Sequence, residues 1–369
     1  MSVQNWRLII DHNSYADFSV SVSPAVEKAV STGEAPPTVF LNIFDRDSIT
    51  IGINEDPEQV LNIDYCKKNK IDFRRRVNGG GAIYTGTGSA FLIYFIPTSH
   101  ELVPETTAEA FPRILTSLAN TLRDLYGFPA EYRPLNDVQV EGRKLMPTSL
   151  KIENGVMTFR IVVNVKEMDT LIAGEAMPMP PEKVQDKVLK DLPSRFTCLE
   201  RESGRLLAKD DLEKMVRTAV KNTFNAPALD LGFLTDAENS YAREFREKFD
   251  NENWLYGKSE GNRFRRNLKK TDTIGYGRRK AVGGMLWATL VLREGKIWHA
   301  ILNGDWHPRP IESVSWLENL LIGVEGSKKA VGNSLRNFIK REDIEYAGVE
   351  LEDLTEVFFQ ALESQEKTM

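Results

Sequence analysis

Apolar residues fall into three patterns along this chain, and each predicts a kind of element. Short apolar runs bounded by polar turns predict strands at Trp6–Ile10, Thr38–Ile43, Ser48–Ile53, Ser89–Ile96 and Phe159–Val165. The polar turn Asp45-Arg46-Asp47 separates the second from the third. A 3.6-residue period carries Phe111, Ile114, Leu115, Leu118, Leu122 and Leu125, predicting a core helix over Thr107–Tyr126. Helices are also predicted at Pro24–Val30, with Ser23 as N-cap and Pro24 in the first turn, at Pro57–Lys68 and at Asp211–Phe224. Turn residues predict a hairpin through Glu141-Gly142 within Asn136–Leu145. A continuing meander passes through Glu153-Asn154-Gly155, from Lys151-Ile152 to Gly155-Val156. A proline-rich break covers Met177–Pro181. Strand pairs mixed with separate helices, without a regular βαβ rhythm, predict an α+β fold rather than a dinucleotide fold.

With 369 residues the chain exceeds one ordinary core, so two domains are expected. Composition shifts at Asn225–Thr235, which reads as a linker, giving domains of about 1–230 and 231–369. The second opens with a helix at Asp236–Phe249. Strands Gly284–Leu292 and Ile297–Leu302 follow, joined by Arg293-Glu294-Gly295, and helices from Glu312 onward break at Gly323–Gly326. Between Lys258 and Lys280 lie nine Lys or Arg and two acids, a local +7 (9 − 2) in an acidic chain. It reads first as a solvated loop; its functional reading is a docking surface for an acidic or phosphate-bearing partner.

Charge and composition narrow the function. A net charge of −5 and 27% charged residues describe a soluble globular protein and argue against nucleic acid as the main partner. Cys66 and Cys198 are the two cysteines, so neither a disulfide framework nor a cysteine zinc site is expected. No signal peptide or membrane-spanning run is evident, and cytoplasm is the expected compartment. His12, His100, His299 and His307 have no helical metal-ligand spacing; nucleophile-elbow, Walker and Rossmann patterns are absent.

The stretch with chemistry is Arg74-Arg75-Arg76-Val77-Asn78-Gly79-Gly80-Gly81-Ala82-Ile83-Tyr84. Three glycines let backbone N–H groups turn together toward an anion, and arginines before them add a bidentate grip on phosphate or carboxylate. By itself the stretch also reads as a glycine turn between strands; the arginines weigh toward an anion or nucleotide site. Lys144 follows one segment later, after Asn136-Asp137.

Arg-Arg-x-x-Gly-Gly-Gly-Ala-Ile-Tyr, then Asn-Asp and Gly142-Arg143-Lys144-Leu145, resembles the lipoate–protein ligase family. Ile51-Gly52 with Asn54-x-x-Pro57 looks like that family's Ile-Gly-x-x-Gln-Asn-Pro. Trp254-x-Tyr256-Gly257 is similar to the opening of its accessory domain, and Gly295-Lys296-Ile297 with Gly304-Asp305 to that domain's hairpin and Gly-Asp turn. The resemblance implies a biotin/lipoate-ligase-like mixed-sheet catalytic domain plus a smaller α+β accessory domain. It implies adenylation of lipoate by ATP with Mg²⁺, then acyl transfer to a lysine of a lipoyl carrier domain. Such carriers are 2-oxo acid dehydrogenase acyltransferase subunits or the glycine cleavage H protein. By the same resemblance Lys144 is catalytic and meets both ATP and the acid. Arg76, Gly79, Gly80, Gly81, Ala82, Ile83 and Tyr84 hold ATP and adenylate, Arg75 and Asn136 contact substrate, and Asp137 holds the metal.

Three segments depart from the family pattern. Thr85–Ser89 replaces His-Asp-x-Gly-Asn, Leu145–Ser149 replaces Ile-Ser-Gly-Ser-Ala, and Met157–Arg160 replaces His-His-Gly-Thr. Arg160 puts a charge where a small pocket residue is expected, able to pair with a carboxylate or to occlude a long acyl tail. Two alternatives follow: a carrier-dependent octanoyl or lipoyl transferase, for which neither cysteine stands at the related position, and a non-catalytic carrier-binding homologue.

Overall fold

The computed structural model describes residues 6–101, 103–104, 106–134, 136–178, 195–226 and 228–367. Met179, Pro180 and Pro181 of the proline break, and Pro227 of the expected linker, lie outside the described residues. The chain forms two compact units. Unit 1 comprises Met1–Ile49, Asp64–Asp72 and Tyr84–Lys248; unit 2 comprises Thr50–Ile63, Phe73–Ile83 and Phe249–Met369.

Unit 1 is built on the apolar strands. They are β1 (Trp6–Asn13), β2 (Thr38–Phe44), β3 (Ser89–Pro97), β4 (Ala130–Arg133), β5 (Asp137–Val140), β6 (Arg143–Glu153), β7 (Val156–Asn164) and β8 (Leu229–Leu231). Their order in one mixed sheet is β8-β1-β2-β3-β7-β6-β5-β4, parallel at β8-β1-β2 and antiparallel beyond. One face is a closed core: Leu92, Tyr94, Met157, Phe159, Ile161 and Val163 are buried among Ile114, Leu115, Leu118, Met215, Val216 and Val220. The last six lie on Thr107–Tyr126 and Lys209–Phe224, the two longest helices of this unit. On the other face Val22, Val26 and Ala29 pack against Phe40, Phe91, Ile93 and Phe95. The strands form because their apolar periods match these two faces. Tight turns are in place as expected: Glu141-Gly142 (φ 49° and 81°) and Asn154-Gly155 (φ 51° and 74°) have the left-handed pairs that two-residue hairpins require. Gly127, at φ 79°, ends the long helix.

Unit 2 carries the four-stranded sheet β11-β10-β9-β12, formed from β9 (Thr273–Ala281), β10 (Gly284–Arg293), β11 (Lys296–Gly304) and β12 (Glu366–Lys367). Helices Ser313–Leu321, Lys328–Ile339 and Leu351–Glu363 bury Leu317, Leu335, Val357 and Phe358 in a core with Leu286, Ala288, Leu290 and Leu302.

Five expectations need correction. The first helical run starts earlier than Ser23: Ser14 is its cap, accepting from Asp17 N at 3.1 Å, and a π turn (Phe18–Val22) leads into Ser23–Ser31. Pro57–Lys68 is two short helices, Pro57–Val60 and Ile63–Lys68, because Leu61 is extended. The strand expected over Ser48–Ile53 ends at Ile51. Asn225–Thr235 contains β8, paired with β1. Finally, the basic stretch contains a strand, β9, that glycine and arginine concealed. A Cβ on Gly275 or Gly277 would stand 1.8 Å from the carbonyl oxygen of Ala361 or Val357, so glycine is what lets the last helix lie on this strand. The +7 charge is partly neutralised from outside that stretch, to +4 (7 − 3): Lys258 and Arg263 share Glu318, and Arg279 pairs with Asp353 and Glu356.

Helix Asp236–Phe249 lies in unit 1 through Lys248. Its fully buried Glu238 takes both ends of Arg7 on β1, at 2.5 and 2.8 Å. Removing one partner strands a buried charge, so Glu238→Ala is expected to destabilise the protein by about 3–5 kcal/mol in urea unfolding, and the charge-neutral pair Arg7→Met/Glu238→Leu by less.

Candidate functional site

The expected site residues divide between the units. Tyr84, Asn136, Asp137 and Lys144 belong to unit 1; Arg75, Arg76, Gly79, Gly80, Gly81, Ala82 and Ile83 belong to unit 2.

In unit 1, β5 and β6 form the hairpin turned by Glu141-Gly142, and their register slips between Val138 and Gln139. The slip places Leu145 and Met146 together in the core and leaves Lys144 on the face of Asp137 and Gln139. Lys144 Nζ lies 2.8 Å from Asp137 Oδ2, with the lysine a third exposed and the aspartate mostly buried. The main chain of Lys144 is fixed by Thr197 N–H, which donates to its carbonyl at 3.0 Å. Asn136 is tied to β6: its amide donates to Thr148 O at 2.6 Å, and Thr148 Oγ1 donates back to Asn136 O at 2.6 Å. Asp137 Oδ1 is buried and has no hydrogen-bond partner. A lone carboxylate oxygen of this kind fits a hard cation such as Mg²⁺, which needs only one or two protein carboxylates when phosphates and water complete its shell. Among the described residues no three His, Cys, Asp or Glu side chains gather as an all-protein metal cage. Tyr84 is buried and hydrogen-bonded to Asp47; burial, then the Asp47 charge, raises its hydroxyl well above the usual range.

In unit 2 close packing demands glycine at Gly52 and Gly79, and backbone conformation favours it at Gly80. A Cβ on Gly52 would stand 1.9 Å from Gly80 O, and one on Gly79 2.6 Å from Trp306 O; Gly80 itself has φ 88°. Gly80 N–H donates to Trp306 O at 3.2 Å. Arg76 holds the loop from below, donating to Gly79 O at 2.7 Å, Gly81 O at 2.9 Å and Thr50 O at 3.1 Å. Arg75 is buried and donates to the carbonyls of Gly52, Ile53, Trp254 and Leu255; burial pulls its pKa down to about 10. The Trp254 indole N–H returns a bond to Arg75 O at 2.8 Å, which gives the Trp-x-Tyr-Gly motif a structural task. Both guanidinium groups thus organise main chain here. Ala82 N–H donates to Glu55, and Ile83 is exposed.

Sequence reasoning passed over Glu55 and Asp56, the two unnamed positions between Asn54 and Pro57, and also His307 beside Gly80. Glu55 accepts from Gly52 N at 2.8 Å, and burial pushes its carboxyl up to about 7. Asp56 accepts from Ser259 Oγ at 2.6 Å and is pushed by burial up to about 6. His307 is lowered, first by burial and then by the Arg76 charge. The signal available was two adjacent acids beside an apolar strand end.

Native Glu55 holds its proton up to about 7, against 4.5 for the free group, so unfolding releases protons between those values. Stability therefore falls as pH rises from 4.5 through 7, by roughly 2–3 kcal/mol from this residue. Urea unfolding across pH 5–8 is expected to show that fall in the wild type and a flatter profile in Glu55→Gln.

Comparison with known proteins adds the lineage. Residues 17–221 match the lipoyl protein ligase A/B catalytic domain. The chain is 23% identical over 316 residues to lipoate–protein ligase 1 of Staphylococcus aureus, covering 85% of this chain and 89% of the relative. It is also 23% identical over 278 residues to the octanoyltransferase LipM of Kyrpidia tusciae, covering 69% and 100%. Plasmodium falciparum LipL1, solved in complex with lipoate, superposes with a TM-score of 0.71 at 15% identity over 95% of this chain and 98% of that one. A lipoate-protein ligase A bound with ATP gives a TM-score of 0.56 at 20% identity, over 69% and 99%. Among the described residues no helix is long and apolar enough to cross a membrane. The chain has the α+β fold with a large mixed sheet of these structures, and it belongs to the lipoate–protein ligase family, whose members include both ligases and octanoyltransferases.

Proposed function

We propose that this protein is an ATP-dependent ligase of the lipoate type. It converts lipoate or a similar acid and ATP into acyl-AMP and pyrophosphate, then passes the acyl group to a carrier-domain lysine. The observation that carries the reading is the Lys144–Asp137 pair on the bulged strand, with one aspartate oxygen left unbonded. Attack of a carboxylate on the α-phosphate gathers negative charge from two anions, which a lysine point charge held in place can stabilise. In this reading Lys144 receives the acid's carboxylate and the α-phosphate, and Asn136, tied to Thr148 at the open end of the same hairpin, contacts the substrate. Mg²⁺ on Asp137 would supply charge neutralisation at the phosphates. Gly79, Gly80 and Gly81 supply main chain to the adenylate in this reading, and Arg76 keeps that loop closed. Tyr84, Ala82 and Ile83 continue it, and Arg75 contributes by fixing the strand end before it. Residues 1–230, with helix Asp236–Phe249 packed on them through Lys248, then form the catalytic domain, and the rest of 231–369 the accessory one.

The cysteines speak against the transferase route. Cys66 and Cys198 are buried, and burial raises both thiols above their ordinary value, opposite to what a thioester-forming nucleophile needs. The relatives suggest the partners. A bipartite lipoate protein ligase of Thermoplasma acidophilum, 24% identical with a TM-score of 0.57, has an E2 lipoyl domain as its counterpart. A lipoyl domain is accordingly the acceptor proposed here.

Pyrophosphate release with ATP, Mg²⁺ and a panel of lipoate, octanoate and biotin tests the reading. Acid-dependent release is expected in the wild type and in Cys66→Ser/Cys198→Ser. Lys144→Ala is expected to lose about 10²–10³ of the rate. Release that needs either thiol, or that is unchanged in Lys144→Ala, contradicts the proposal.

A further inference from the structure

The face of unit 1 that carries Lys144 continues along β6 and β7. Cross-strand partners share a face, so Lys144 and Asp137 stand on the same side as Pro147, Ser149, Lys151, Thr158, Arg160 and Val162. The opposite side holds the closed core. On the open side Ser149 is exposed, and Pro147, Val162 and Arg160 are half-buried. This leaves a strip with a small apolar floor that starts at Lys144 and ends at a charged cluster. Ser149, the partner of Arg160, lies five positions along β6 from Lys144, one of them taken up by the bulge, a distance of about 13 Å along the strand. That matches the reach of a medium-chain acid.

The cluster is built around Glu27, on the helical segment Ser23–Ser31. Its carboxylate accepts from Arg160 Nη2 at 3.0 Å, from Thr158 Oγ1 at 2.9 Å and from Lys151 Nζ. The Arg160 and Glu27 side chains are each 14% exposed, and Lys151 is 26% exposed. Burial raises the Glu27 carboxyl, but Arg160 and Lys151 outweigh it, and the group stays below its ordinary value. Two cations thus face the Glu27 carboxylate, and Lys151 also lies 3.9 Å from Glu153, so the cluster is balanced in charge and what it offers is donors. Among the described residues Glu27 is the single polar partner of Arg160, so Nε and Nη1 remain as donors.

We propose that Arg160, with Glu27 and Lys151, reads the far end of the acid and selects acids that terminate in a hydrogen-bond acceptor, preferably a second anion, over acids that terminate in hydrocarbon. The proposal rests on the reading of Lys144 as the carboxylate-binding residue and names the substrate class of that site. A methyl or other apolar end laid against the cluster strips water from charged donors and returns nothing. A carboxylate or carbonyl end replaces that water and meets the remaining Arg160 donors, with the planar guanidinium suited to bidentate contact. Arg160 and Lys151 are specificity residues in this account, with no part in the chemical step.

Titration calorimetry on the full chain with two acids of equal length, octanoate and octanedioate, tests the idea. Pyrophosphate release is measured on the same samples. The wild type is expected to bind octanedioate about tenfold or more tightly than octanoate. The charge-neutral pair Glu27→Gln/Arg160→Met is expected to lose or reverse that preference, and Lys151→Met, which leaves the Arg160–Glu27 pair intact, to weaken it. Equal binding of the two acids, binding of neither, or a preference that survives these substitutions overturns the proposal. Preferential binding without pyrophosphate release supports the specificity role and contradicts the ligase reading; release without preference does the opposite.

Discussion

A lysine ammonium held 2.8 Å from a mostly buried aspartate is the interaction on which the functional account depends. Its own contribution to stability is small, because a pair with a third of the lysine exposed is screened and contributes about 0–1 kcal/mol. Its value is positional. The register slip in β5–β6 turns Lys144 out of the core without breaking the hairpin, and Thr197 N–H fixes its carbonyl from a separate segment. Asn136 and Thr148 lock the start of the same hairpin. An ammonium held this way needs little reorganisation to meet an anion, which is the physical basis of electrostatic preorganisation.

Unit 2 answers a different constraint. Its glycine loop passes so close to other main chain that side chains do not fit at Gly52 or Gly79, and the arginines before it satisfy carbonyls of the turned backbone. A motif chosen for anion binding and a motif chosen for close packing therefore look alike in sequence, and here the packing role is directly visible. Glu55 adds a cost to the same loop: a carboxyl buried against Gly52 N–H holds a proton up to about 7, so the loop's stability is tied to pH.

Much of the fold was legible because the apolar periods match the two faces of one sheet. Ser89–Ile96 reads as an apolar strand and is buried on both sides; Thr107–Tyr126 reads as a one-sided helix and packs by the predicted residues. The Glu141-Gly142, Asn154-Gly155 and Glu294-Gly295 turns were readable from residue types that tolerate positive φ. What escaped lacked a local signal. Strand β9 has glycines where a helix presses on it, Arg279 on that same face reaching the helix's acids and Arg278 exposed on the other, so no period survives. Ser14, not Ser23, caps the first helical run, because the π turn between them leaves no mark in composition. The pairing of Lys144 with Asp137 spans a hairpin whose turn was visible but whose bulge was not. Arg160 drew notice as a misplaced charge, while its partner Glu27 sits 133 residues away on a helix, beyond any sequence rule.

The family fixes the lineage, and the direct test of the ligase chemistry is the fate of a carboxylate oxygen. The acid is supplied with both carboxyl oxygens as ¹⁸O, together with ATP, Mg²⁺ and a lipoyl carrier domain, and the AMP formed is weighed by mass spectrometry. Attack of the carboxylate on the α-phosphorus, followed by acyl transfer to the carrier lysine, leaves one ¹⁸O in each AMP. The account predicts labelled AMP from the wild type and its loss in Lys144→Ala. Acylated carrier formed without labelled AMP would contradict it.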